Sequence, residues 1–178
     1  MEKMLAAVFE DVGKLELKMV PVPQIRKEDQ VLVEVEAVSI CGTDVHITAV
    51  PPGYQATPGT ILGHELVGKI VEKGEAVGHL QVGDRVVVNP NDYCGVCQYC
   101  RKNLPNECEN IIPLGIDYDG AFAKYCLISG KVAYKISEEV SLEAAACTEP
   151  LACAINGFHK VNILPGESAV IIGCGPIG

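Results

Sequence analysis

The pattern of apolar and polar positions has a period of two over much of the first 136 residues. Residues 4–9 and 14–19 read as short strands joined by a turn at Asp11-Val12-Gly13. Pro21-Val22-Pro23 is extended and punctuates the chain. Residues 31–38 alternate as a half-buried strand. They feed into Ser39-Ile40-Cys41-Gly42-Thr43-Asp44-Val45-His46, where small polar residues begin a turn or short helix. Three prolines and two glycines make 51–60 an irregular loop. Strand character resumes from Thr60 through Val71, and Gly83-Asp84 turns the chain into a strand at 85–88. Residues 89–115 are rich in Cys, Asn and Pro and show no period, so they read as a loop lobe that needs stabilisation from outside itself. Two further strands follow at 122–128 and 132–136. Many short strands without an internal repeat predict a mainly β fold, a small barrel or sandwich.

The pattern changes after Ile136. Ser141 can cap a short helix over 142–146, and Pro150 suits the first turn of a second helix running to about Val161. A turn at Leu164-Pro165-Gly166-Glu167 precedes a buried strand over 168–172, which ends in Gly173-Cys174-Gly175-Pro176-Ile177-Gly178.

Composition narrows the function classes. With 178 residues the chain can bury one good core, or one domain and the beginning of another. A net charge of −9 without a dense Lys/Arg cluster argues against nucleic acid or an anionic membrane as the main partner. The start, Met1-Glu2-Lys3-Met4-Leu5, lacks the apolar segment of a signal peptide, and no run approaches a membrane span. Nine cysteines is a high and odd count, and closely spaced ones without a secretion signal point to metal ligands rather than disulfides, and to a reduced, cytoplasmic setting.

Three groups of residues carry candidate chemistry. Cys94-x2-Cys97-x2-Cys100-x7-Cys108 offers four thiolates that can close a tetrahedral zinc site with no open position. Such a metal would stand in for the missing core of the lobe, so that binding energy becomes folding energy. An iron–sulfur cluster is the rival; its fourth Cys is expected sooner and followed by Pro, whereas Glu109 follows Cys108. The second group is Cys41, His64, Glu65 and Glu149. His64 and Glu65 stand side by side in an apolar run and would be costly to bury unpaired, and a metal ion is one partner that removes the cost. The plain alternatives are a half-exposed strand with both side chains in water, a small buried thiol at 41 and a solvated first-turn acid at 149. The third is Gly173-x-Gly175-x2-Gly178, which follows a predicted strand as a dinucleotide fingerprint requires; a mere glycine turn is the alternative. His79 and His159 read as surface residues, and Cys126, Cys147, Cys153 and Cys174 as ordinary core thiols.

Six features in this order bring a family to mind: Cys41-Gly42-Thr43-Asp44-x-His46; Gly63-His64-Glu65-x2-Gly68-x5-Gly74-x2-Val77; Gly83-Asp84-Arg85-Val86; the four-cysteine lobe; Glu149-Pro150-Leu151; and the terminal glycine turn. Together they resemble the zinc-containing medium-chain dehydrogenases of the alcohol dehydrogenase superfamily, nearest in motif to the sorbitol, butanediol and threonine dehydrogenase branch. The resemblance implies a GroES-like β-barrel catalytic domain over 1–149, with the structural zinc lobe at 89–115. It implies a linking helix and the first strand of a truncated Rossmann domain over 150–178. It implies a catalytic zinc on Cys41 and His64, with Glu65 and Glu149 completing or flanking the shell, and a proton relay through Thr43 and His46. It also implies NAD or NADP bound at Gly173, Gly175 and Gly178, a small alcohol or polyol as substrate, and a homo-oligomer at full length. Family members continue beyond the position of Gly178, so the chain is expected to be a piece of a longer one and inactive alone. A zinc-binding GroES-like module without turnover is the alternative reading. A zinc-free quinone reductase relative is disfavoured, because both ligand sets are present.

Overall fold

A computed structural model describes residues 2–161 and 163–178. Strands β1 (Lys3–Asp11) and β2 (Lys14–Pro21) form an antiparallel hairpin whose turn is entered by Val12 and closed by Gly13 at φ 71°. Strand β3 (Gln30–Ser39) leads into helix α1 (Gly42–Thr48), and strand β4 (Glu65–Lys73) follows the proline-rich loop. Strand β5 (Arg85–Val88) comes next. The cysteine lobe holds the two-residue strand β6 (Asn91–Asp92), the one-turn helix α2 (Gln98–Arg101), a single 3-10 turn and the strand β7 (Ile112–Pro113). Strands β8 (Tyr125–Ser129) and β9 (Ala133–Lys135) precede helices α3 (Leu142–Ala146) and α4 (Thr148–His159). The main sheet is antiparallel throughout, in the order β8-β3-β4-β5-β9. The mainly β architecture with short helices expected from the alternation is what the chain adopts.

The core lies over the centre of that sheet. Val31 and Val33 from β3, Leu66 and Ile70 from β4, Val86 and Val88 from β5 and Ile128 from β8 share one buried cluster. Each strand sends alternate residues to this face, which is the pattern read from the sequence. The hairpin is stitched on by backbone bonds from Ala7 N to Phe122 O (2.9 Å) and from Phe9 N to Thr60 O (2.8 Å). The segment carrying His64 is thereby held on both sides. Gly120 N donates to Ile61 O at 2.7 Å and Ala121 N to Gly63 O at 2.8 Å.

That crossing needs glycine. A Cβ at Gly120 would stand 2.1 Å from the Gly63 carbonyl oxygen and 2.8 Å from that of Leu62, both fixed backbone atoms. Gly120→Ala is therefore expected to cost about 2–3 kcal/mol, the range of an overpacked core, and to displace His64. Urea unfolding of the variant checks the magnitude.

Several expectations shift. Strand β8 begins at Tyr125 rather than at 122, because Phe122 and Ala123 pair with the hairpin as single bridges and bonds. Helix α4 begins at Thr148 and so holds Pro150 in its first turn, as expected, but it ends at His159 rather than near Val161. Residues 168–172, expected as a buried strand, belong to no ladder, and Val170 and Ile172 are 87% and 96% exposed. A parallel strand of the expected kind is buried between neighbouring strands and covering helices, and no described residue of this chain supplies them. Helix α4 has no buried residue, so Cys153, like Cys147 and Cys174, is exposed rather than a core thiol. Only Cys126 of that group is buried; burial pushes its thiol up to about 12, which leaves it protonated and inert. His79 and His159 are exposed, as expected, and His79 Nε2 lies 3.1 Å from the Gly130 carbonyl. Among the described residues, no helix is long and apolar enough to cross a membrane.

Candidate metal centres

The four lobe cysteines converge. Each offers one sulfur, and the four sulfurs lie within 4.8 Å of one another. Backbone amides turn inward to meet them: Cys94 N and Asn110 N each donate to Cys108 Sγ at 3.3 Å, and Cys97 N donates to Cys94 Sγ at 3.4 Å. Amide donors favour the thiolate form, and those at Val96 and Cys97 draw the Cys94 thiol down to about 6. Cys100 moves the other way, to about 12, because desolvation and the neighbouring sulfurs of Cys97, Cys108 and Cys94 oppose a further negative charge. Four convergent sulfurs met by backbone amide donors offer the donor set of a closed zinc site.

The second group is assembled from three elements. Cys41 is the residue before α1, His64 lies just ahead of β4 and Glu65 opens that strand. A β-bulge at Glu36 restores the register so that Ala37, Val38 and Ser39 face Val67, Leu66 and Glu65. Helix α1 is anchored by Ile47, fully buried against Phe9 and Leu62. The donor atoms of Cys41, His64 and Glu65 lie within 4.8 Å of one another. His64 and Glu65 are buried, at 6% and 5% exposure, so the half-exposed strand with both side chains in water does not apply.

Asp44 belongs to this site, and it also caps the helix. Asp44 Oδ2 accepts from Cys41 N at 2.9 Å. Its other oxygen, Oδ1, lies 3.7 Å from His64 Nδ1, too far for a hydrogen bond. Both atoms are buried without a partner, and both side chains are over nine-tenths buried. Burial pushes the Asp44 carboxyl up, while the Cys41 amide and His64 pull it down. An imidazole with one nitrogen facing a buried carboxylate and the other free is the arrangement of a metal-binding His with its outer partner. The orphaned pair thus fits a metal-binding His64 with Asp44 as its outer partner.

Thr43 lies beside Cys41, whose thiol is raised first by burial and lowered by the amide and hydroxyl of Thr43. His46 is exposed in the last turn of α1. Glu149 is not one of the convergent trio; it lies in the first turn of α4, where its Oε1 accepts from Cys153 Sγ at 3.4 Å, and Cys153 in turn lies within reach of Cys41 and Glu65. Gly173 has φ 95°, Gly178 N donates to Gly175 O at 3.1 Å, and a Cβ at Gly178 would lie 2.0 Å from the Gly173 carbonyl. The glycine spacing therefore makes a tight turn, on exposed chain.

Residues 27–138 match the family model described as the alcohol dehydrogenase GroES-like domain. The chain is 36% identical to D-xylulose reductase A of Aspergillus oryzae over 177 residues, covering 98% of this chain and 49% of that protein. It resembles a cobalt- and zinc-bound thermostable alcohol dehydrogenase from Pyrobaculum aerophilum at TM-score 0.83 and 30% identity, covering 93% of this chain and 51% of that one. It also resembles acetophenone reductase from Geotrichum candidum in complex with NAD at TM-score 0.82 and 27% identity, over 92% and 49% of the two chains. The chain thus spans about half the length of the curated relatives it matches.

Proposed function

The chain belongs to the alcohol dehydrogenase GroES-like domain family, and from that premise we propose that it carries the metal-holding half of a zinc-dependent dehydrogenase. The substrate class is a small secondary alcohol or polyol, whose hydride passes to NAD or NADP. The observation that carries this reading is the convergence of Cys41, His64 and Glu65 beside the unpartnered His64–Asp44 pair. Three protein ligands and one open position are the arrangement of a catalytic zinc rather than a structural one.

Zinc held there would supply a Lewis acid, lowering the pKa of a coordinated hydroxyl as it lowers that of bound water to about 7. Asp44 Oδ1 faces His64 Nδ1 at 3.7 Å, and a ring oriented by that carboxylate would offer Nε2 to the metal. Glu65 is the direct ligand of the two candidate glutamates, since it shares the donor cluster and Glu149 does not. Thr43 offers a hydroxyl beside Cys41 to take the alcohol proton, and His46 passes it to solvent from the exposed end of the helix. The Cys94, Cys97, Cys100 and Cys108 lobe holds a second, structural zinc. Residues 1–149 act as the catalytic unit, and Gly173, Gly175 and Gly178 begin the dinucleotide site.

A second reading, a zinc-binding module without turnover, suits the 178-residue chain alone. The observation favouring it is the exposed, unladdered course of 168–172, since hydride transfer needs a held nicotinamide. Turnover of polyols with NAD and NADP, compared between this chain and a longer one with a complete dinucleotide domain, tests both readings. Activity is expected only from the longer chain. A metal-loaded longer chain that turns over no alcohol overturns the first reading, and turnover by the 178 residues overturns the second.

A further inference from the structure

Glu65 is a buried carboxylate whose orientation needs an explanation. Strands β3 and β4 pair Ser39 directly with Glu65 at the end of the ladder. Cross-strand partners project to the same face of a sheet. The Ser39 hydroxyl accordingly donates to Glu65 Oε2 in a short contact. The Ala146 carbonyl lies 3.4 Å from the same hydroxyl. A hydroxyl has one proton, and the carboxyl oxygen at the shorter distance takes it. Ser39 is half-buried, in the ladder just ahead of the turn that carries Cys41.

We propose that Ser39 is a positioning residue for the open metal site: its hydroxyl pins one oxygen of Glu65 so that the carboxylate stays turned toward Cys41 and His64. The inference rests on the reading of Cys41, His64 and Glu65 as metal ligands and adds a residue to it. The physical basis is twofold. A Glu has several rotamers to lose on binding a metal, and a fixed second oxygen removes part of that loss beforehand. A ligating carboxylate with a hydrogen-bonded partner also holds its geometry, as outer partners of metal ligands do generally. The bulge at Glu36 gains a role here, because without it the register would slip by one and Ser39 would face the opposite side of the sheet.

The test uses the cobalt-loaded and zinc-loaded protein with three variants: Ser39→Ala, Ser39→Thr and Cys41→Ala. Zinc affinity is read by competition with a chelator, and the visible absorption bands of cobalt report the geometry at the ligands. Ser39→Ala is expected to weaken zinc at the open site about 10- to 100-fold, the range for loss of an outer partner, and to shift the cobalt bands. Ser39→Thr keeps the hydroxyl and is expected to restore both. Unchanged affinity and unchanged bands in Ser39→Ala, with Cys41→Ala losing the metal, would overturn the role of Ser39 alone. Full metal retention in Cys41→Ala would overturn the ligand reading and the inference with it.

Discussion

Replacing Cys100 with serine is expected to release one zinc per chain and to open the lobe at 89–115 to protease, while the main sheet stays folded. Between Asn91 and Pro113 the buried hydrophobic residue is Cys108, itself a ligand, and the lobe's apolar anchor, Leu114, belongs to the main-sheet core, so the cysteine-bearing stretch has no apolar core of its own. Its internal ladder is two residues long on each strand. Structural zinc in small finger domains contributes about 10–16 kcal/mol of folding energy, and the loss of one thiolate forfeits a large part of it. Cys100 is one of the four convergent sulfurs, and serine in its place leaves three thiolates where a closed site needs four. The core of Val31, Val33, Ile70, Val86 and Ile128 lies outside the lobe and should keep its β-sheet circular dichroism. Metal content together with limited proteolysis checks this. A variant that keeps its protease resistance would mean that the lobe holds itself without metal.

The second large effect is on turnover. His64→Ala, made in a chain that carries the complete dinucleotide domain, is expected to lower kcat/KM by about 10³-fold or more. The loss of a Lewis acid is worth several kcal/mol of transition-state stabilisation, and about 4 kcal/mol corresponds to that factor. The effect should fall on the open site alone, since His64 has no contact with the lobe sulfurs and the two donor clusters are separate. Asp44→Asn makes the graded companion. It keeps the shape of the side chain and its acceptor oxygen but removes the charge facing His64 Nδ1, and metal affinity should fall about 10- to 100-fold. Steady-state kinetics on both variants at matched zinc loading provides the check. Turnover by His64→Ala near that of the parent would remove His64 from the ligand set.

What the sequence makes legible here is whatever local chemistry decides. Ser141 caps α3 as its position before Leu142 implies, accepting from Ala144 N at 3.3 Å. The alternation at 31–38 became β3, and the cysteine spacing became one convergent cluster. The open site was legible only in part, because its members lie far apart in the chain and topology joins them. Cys41 and His64 are 23 positions apart and meet through α1 and the 60–64 segment. Asp44 lay in the stretch read as a turn or short helix, and its second oxygen faces a histidine that only the fold brings near. Ser39 carried no signal at all, since its significance lies in the register with β4. The 168–172 run shows the opposite failure. Its apolar composition is that of a buried strand, and composition cannot supply the neighbouring strands that such a segment pairs with.

Two metal centres of different kinds are expected in one chain, a closed one from four thiolates and an open one from Cys41, His64 and Glu65. Zinc content per folded chain, measured by elemental analysis on the parent, the Cys100→Ser variant and the His64→Ala variant, tests this most directly. The predicted values are two zincs in the parent and one in each variant, with the proteolytic opening confined to Cys100→Ser. One zinc or none in the properly folded parent, or two in folded His64→Ala, would contradict it.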